Sequence, residues 1–185
     1  MARTNLIEYV TIATAGNATD FGDLSEAKNG PAGCASATRG LFGGGDLGAS
    51  RSNRIEYVTI ATTGNVTDFG DLTEGRGNLA ACSGSTRGVF GGGRTVGASD
   101  DHVIDFVTIA STGNATDFGD LNAGGLWLSA TSSSLRGVFG GGIEAPQNTI
   151  DYITISSAGN ATDFGDLTVG RYSLAACSSA HGGLS

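Results

Sequence analysis

Lysine is nearly missing from this chain: Lys28 stands alone among 10 basic residues, which face 18 acidic ones for a net charge of −8 at pH 7. That balance excludes a surface built to follow a phosphate backbone, so nucleic acid is not an expected partner. Cysteine (3), histidine (2) and proline (2) are also scarce. An odd, low cysteine count argues against a disulfide framework. No apolar run approaches the roughly 18 residues of a membrane span, so no membrane partner is expected. The opening residues, Met1 to Asn5, lack the apolar core of a secretory signal. What the chain has in excess is glycine, 32 of 185 residues. The glycines follow no three-residue period, which excludes collagen. They also argue against long helices, since each costs about 1 kcal/mol at a helical site. The length is enough for one domain with a real core, read here as 1–185.

Internal repetition is the main signal. Ile-Glu-Tyr-Val-Thr-Ile at Ile7 recurs at Ile55, as Ile-Asp-Phe-Val-Thr-Ile at Ile104 and as Ile-Asp-Tyr-Ile-Thr-Ile at Ile150. Thr-Asp-Phe-Gly-Asp-Leu follows each time, from Thr19, Thr67, Thr116 and Thr162. Arg-Gly-(Leu/Val)-Phe-Gly-Gly-Gly begins at Arg39, Arg87 and Arg136. One unit reads as four short strands: a small-residue strand A (Leu79 to Gly84), B (Arg87 to Gly91), C (Ile104 to Ile109) and D (Ala115 to Leu121). Strand C is rich in β-branched and aromatic residues. A Gly-Asn turn that tolerates positive φ joins C to D. The period fits a four-stranded propeller blade of roughly 40–50 residues.

The expected fold is therefore all-β, a β-propeller with blades at about 29–72, 76–121 and 125–167. The chain is permuted: it begins with C and D (6–24) and ends with A and a clipped B (173–185). These halves are expected to pair as the closing blade, which would remove exposed sheet edges. One chain could close four blades, or two chains could close an eight-bladed ring as a homodimer. Higher effective concentration favours the single chain at this stage.

The run Gly75-Arg76…Arg87-Gly-Val-Phe-Gly-Gly-Gly resembles kelch repeats, and the likeness covers nearly the whole chain. Kelch blades carry a Tyr and a Trp at a fixed short spacing after the diglycine. This chain instead has Tyr9, Tyr57, Phe106 and Tyr152, then Phe21, Phe69, Phe118 and Phe164 further on. At the Arg76 and Arg171 position the other repeats have Lys28 and Gly125. The repeat wording is also similar to kelch-type proteins of tailed phages, where such propellers occur among virion and tail-appendage proteins. The resemblance implies a binding or structural role without catalysis or cofactor. It implies location in a virion, with other virion proteins or a host-surface glycan as partners. A lectin-like carbohydrate-binding propeller is the alternative.

Variation among the repeats falls at one end. The B–C loops (46–54, 94–103, 143–149) and D–A linkers (25–33, 73–78, 122–126, 168–172) differ, whereas the A–B and C–D turns are uniform. Loops carry function on a rigid scaffold, so this variable rim is the expected recognition face. Its candidate contacts are Trp127, Tyr172, Arg51, Arg54, Arg94, Asp100, Asp101 and His102. A rim aromatic can stack on a sugar or anchor a protein. The plainer readings are that Trp127 covers its own blade and that the charged residues are solvated.

Other constellations point to structure. The pairs Asp20/Asp23, Asp68/Asp71, Asp117/Asp120 and Asp163/Asp166 recur in every unit, whereas an active site breaks symmetry. Arg39, Arg87 and Arg136 are expected to pair with the first Asp of each set. Cys34, Cys82 and Cys177 share one A-strand position and read as small apolar residues near the axis rather than metal ligands. No catalytic residue and no metal ligand is expected. Asn17, Asn65, Asn114 and Asn160 each open an Asn-x-Thr sequon that the turn explains.

Overall fold

The computed structural model describes residues 3–97, 101–143 and 147–178. Among them are fourteen strands and no helix. These are β1 (Thr4–Tyr9), β2 (Thr19–Lys28), β3 (Ala32–Ala35), β4 (Arg39–Gly43), β5 (Arg54–Thr59), β6 (Thr67–Asp71), β7 (Ala80–Ser83), β8 (Arg87–Gly91), β9 (Val103–Thr108), β10 (Thr116–Asp120), β11 (Ser129–Ser132), β12 (Arg136–Gly140), β13 (Thr149–Thr154) and β14 (Thr162–Asp166). They form three four-stranded antiparallel sheets, β3–β6, β7–β10 and β11–β14, each in simple up-and-down order, and a two-stranded sheet β1–β2. Each four-stranded sheet is one repeat in the expected order A, B, C, D. The helix-free fold follows from the short β-branched runs and the glycine load.

The apolar cores lie between sheets, not within them. One joins Leu41, Ile55, Phe69 and Leu72 to Leu79, Phe90, Val107 and Ile109 of the following sheet. The next joins Val89, Ile104, Phe118 and Leu121 to Leu128, Phe139, Ile153 and Ile155. Small residues on the B strand let the sheets approach. A Cβ on Gly88 would lie 2.8 Å from Cys34 Sγ, and one on Gly43 would lie 2.6 Å from the Phe90 ring. The same contacts recur one sheet on, with Gly137 against Cys82 and Gly91 against Phe139. At this packing density an added methyl forces the backbone or a neighbour to move.

Each junction repeats a second set of contacts at the outer strand. A bulge in strand D sets Asp68 and Gly70 opposite Glu56 and Ile55, leaving Phe69 as the inserted residue. The Phe69 carbonyl accepts the Gly113 N–H of the next sheet at 2.7 Å, and Asn114 Oδ1 accepts the Asp71 N–H at 3.1 Å. Asn65 and Asn160 hold Asp23 and Asp120 in the same way. The Asn of each sequon is thus a clasp between sheets as well as a turn residue.

The expected Arg–Asp pairs on the outer strands are not formed. Arg39, Arg87 and Arg136 lie 4.6, 4.4 and 4.6 Å over the rings of Tyr57, Phe106 and Tyr152. Those rings meet Phe69, Phe118 and Phe164 edge to face. Arg39 and Arg87 also donate to the carbonyls of Ile109 and Ile155 of the following sheet. An aromatic face and a carbonyl already engage the guanidinium there, so it does not turn toward the Asp.

The sheet β1–β2 corresponds to strands C and D of a further repeat. Residues 173–178, expected as its A strand, form no strand, and β1 pairs only with β2. The clipped B strand expected within 179–185 lies outside the described residues.

Candidate functional site

The variable rim is knitted by backbone hydrogen bonds. The third glycine of each run donates to the next D–A linker: Gly45 to the Arg76 carbonyl, Gly93 to Gly125 and Gly142 to Arg171, at 2.8 to 3.0 Å. Gly45, Gly93 and Gly142 have φ of +121°, +99° and +122°, which explains the glycine there. The linkers also bond to one another. Asn78 N–H donates to the Gly30 carbonyl, Trp127 to Asn78 and Ser173 to Trp127, at 3.0, 3.0 and 2.9 Å. All four residues of this chain hold a left-handed φ between +55° and +60°. Gly, Asn and Ser are small enough to accept that conformation at modest cost; a Trp is an outlier there.

Trp127 is 40% exposed and Tyr172, on the next linker, is 54% exposed. Their ring centroids lie 5.7 Å apart with planes tilted by 31°. The structure therefore brings together the two rim aromatics singled out in the sequence. They form an open-faced pair across two linkers, and Trp127 is not sealed under its own sheet.

The charged candidates are placed differently. Arg51 and Arg94 both reach Asp46, at 3.1 and 3.0 Å, so one carboxylate ties the B–C loops of two sheets. Burial alone would raise the Asp46 carboxyl. Hydrogen bonds from Gly48 and Arg94 and the charges of both arginines outweigh it and hold the group below its usual range. Asp101 is buried, accepts the Val103 N–H at 2.9 Å and lies 4.0 Å from Arg76. His102 donates from Nδ1 to the Leu121 carbonyl at 3.0 Å. Arg54 is exposed and reaches Ser25 Oγ at 3.5 Å. Asp100 lies outside the described residues. Of the polar candidates, Arg51, Arg94, Asp101 and His102 hold loops together, and Arg54 is the one left mostly to solvent.

Beneath the rim runs a row of buried charges that the sequence reading passed over. In each four-stranded sheet the C strand carries an acid, and the preceding D–A linker supplies its partner. Lys28 Nζ meets Glu56 at 2.8 Å, and Arg76 Nη2 meets Asp105 at 2.6 Å, all four side chains being almost fully buried. Arg76 also donates to the Gly92 and Val103 carbonyls at 2.7 Å each. Where the linker has Gly125, Asn122 takes over: its N–H and Nδ2 donate to Asp151 at 2.9 and 2.8 Å. Burial pulls the Glu56 carboxyl upward, but hydrogen bonds from Lys28 and Ser25 and the Lys28 charge hold it below its ordinary value. The signal was present, because an acid follows the first Ile of every C strand.

Strands β3, β7 and β11 and residues 176–178 line a shallow depression of about 300 Å³. Burial pushes the Cys34 thiol up to about 12, with a hydrogen bond from Val89 opposing it, and also raises Cys82. These thiols are neutral and free, and Cys177 is exposed. Among the described residues no group of three metal-ligating side chains occurs.

The fold and rim define a repeat protein of up-and-down four-stranded antiparallel sheets carrying one aromatic pair on its variable rim. No protein-family model matches the chain, and no curated protein matches it in sequence.

Proposed function

We propose that the chain is a non-catalytic display module, a kelch-type β-propeller of a tailed-phage virion or appendage, whose variable rim contacts a host-surface glycan or another virion protein. The observation that carries this reading is the Trp127–Tyr172 pair. Two large aromatics lie open on the loop-bearing end, and one occupies a backbone conformation that disfavours it. Such strain persists where the surroundings enforce it and is enriched at binding sites. Tryptophan and tyrosine are also the residues that anchor interfaces most often. A lectin-like role is the second reading, favoured by the same pair, since an open, slightly splayed aromatic surface suits a sugar ring.

Trp127 is the chain's only tryptophan, so its emission reports this site alone. Titration with a glycan panel, and with surface polysaccharide or purified virion proteins, should shift that emission. Binding measured by calorimetry should be lost in Trp127→Asn and Tyr172→Ala. A ligand whose affinity is unchanged in both variants would place recognition elsewhere.

A further inference from the structure

Three junctions between successive sheets are built from the same contacts, and the described chain offers a fourth set that is unused. Gly64, Gly113 and Gly159 donate to the carbonyls of Phe21, Phe69 and Phe118 at 2.7 Å each. The corresponding pair is Gly16 and Phe164. Asn65, Asn114 and Asn160 accept the N–H of Asp23, Asp71 and Asp120; the corresponding pair is Asn17 and Asp166. Arg39 and Arg87 donate to Ile109 and Ile155; the corresponding pair is Arg136 and Ile12. None of these three bonds is made among the described residues. Ile12 is 98% exposed where Ile109 and Ile155 are 1% and 4%, and Phe164 is 57% exposed where Phe69 and Phe118 are 2% and 3%. A Cβ on Gly22, Gly70 or Gly119 would run into the next sheet's turn, whereas one on Gly165 would meet open space.

Identical contacts impose a near-constant rotation from sheet to sheet. If that rotation were a quarter turn, three steps would bring β14 against the β1–β2 turn and the fourth set would form unaided. It does not form, so the step is smaller and a ring needs more than four blades. The geometry points to a second copy of this chain as the occupant of both free ends. The Gly16–Asn17 turn of each copy docks on β14 of the other, and two chains close one eight-bladed ring. Eight blades lie within the usual range for propellers, and a two-fold ring uses each end of each chain once. This places closure between chains, where effective concentration alone had favoured closure within one. Closure between two chains follows from the repeat geometry and needs no ligand, so failure of rim binding leaves it standing.

Mass measurement by light scattering at micromolar concentration tests it, with Phe164→Glu and Asn17→Ala as variants. Both side chains lie outside the junctions already formed, so folding should be retained by circular dichroism. The wild-type chain should run at twice 18.4 kDa, and each variant should shift to the single-chain mass. Mixing the two variants should restore a dimer, because one of its two junctions then combines wild-type Phe164 with wild-type Asn17. A wild-type chain that stays single, a dimer indifferent to both substitutions, or a mixture that stays at single-chain mass would each overturn the inference.

Discussion

Replacing Arg76 with methionine tests the buried charge row most directly. Arg76 is wholly buried and sends three hydrogen bonds of 2.6 to 2.7 Å to Asp105 and to the Gly92 and Val103 carbonyls. Methionine keeps much of the side-chain volume and removes every donor. Asp105 would retain only Thr73, whose Oγ1 and N–H donate at 2.7 and 3.3 Å. Removing one partner of a buried ion pair costs about 3–5 kcal/mol because the other charge stays desolvated. For a chain of this size each kcal/mol lowers the melting temperature by about 2–4 °C, so a fall on the order of 10 °C is expected by calorimetry. The protein itself supplies the rescue. Where Gly125 replaces the cation, Asn122 satisfies Asp151. Adding Thr73→Asn to Arg76→Met should therefore recover part of the loss, while Asp105→Leu paired with Arg76→Met should recover more by removing the stranded charge. A single variant that melts within about 1 °C of wild type, well below the per-kcal/mol shift, would refute the claim that this pair holds the rim to the sheets.

Trp127→Asn should stabilise the fold by about 1 kcal/mol, since asparagine accepts a left-handed φ more readily, as Asn78 does one sheet earlier; urea denaturation measures it. Gly88→Ala should cost about 1–3 kcal/mol by overpacking against Cys34. Cys34→Ala should give back part of that, and a double-mutant cycle with no coupling would contradict the A-on-B packing. Burial, a hydrogen bond to Asp101 and the Asp101 charge push Glu74 up from 4.5 to about 7. Between those values the folded chain keeps a proton that the unfolded chain releases, so stability contributed by this group falls as pH rises through the window. Glu74→Gln should remove that fall, and parallel pH–stability curves for the two proteins would count against it.

Much of the fold could be read directly from the sequence because each repeat is a second measurement of the same unit. Strand B, Arg87–Gly91, coincides with its expected span, and strands A, C and D fall within a residue or so of theirs. The contacts between sheets were harder to read. Arg39 and the outer-strand Asp lie two strands apart, and the Tyr57 ring and the Ile109 carbonyl of the next sheet engage the guanidinium instead. Asp46 was invisible as a hub because its partners, Arg51 and Arg94, come from the loops of two different repeats. The aromatic rim pair was legible as two separate outliers; their meeting depends on the linker-to-linker hydrogen bonds that set Trp127 beside Tyr172.

Position by position, the uniform residues are the ones that build junctions, and the rim is where the repeats are free to differ. The linker that carries Trp127 is also the one without a buried cation. In the linkers preceding the first and second four-stranded sheets, Lys28 and Arg76 reach down to a C-strand acid. In the third, Asn122 satisfies Asp151 from three residues earlier, at the very start of the linker. Gly125 is then released from the charge row, and the segment Leu126–Trp127–Leu128 packs by its leucines: Leu126 and Leu128 are buried while the indole between them is turned out. Two buried leucines flanking a left-handed residue force that residue's side chain away from the core. The exposure of Trp127 is thus a consequence of how its neighbours are anchored. Substituting Leu126 or Leu128 should loosen the indole and its stacking on Tyr172 before it disturbs the sheets, which tryptophan emission and near-ultraviolet dichroism would register ahead of any change in the far-ultraviolet signal.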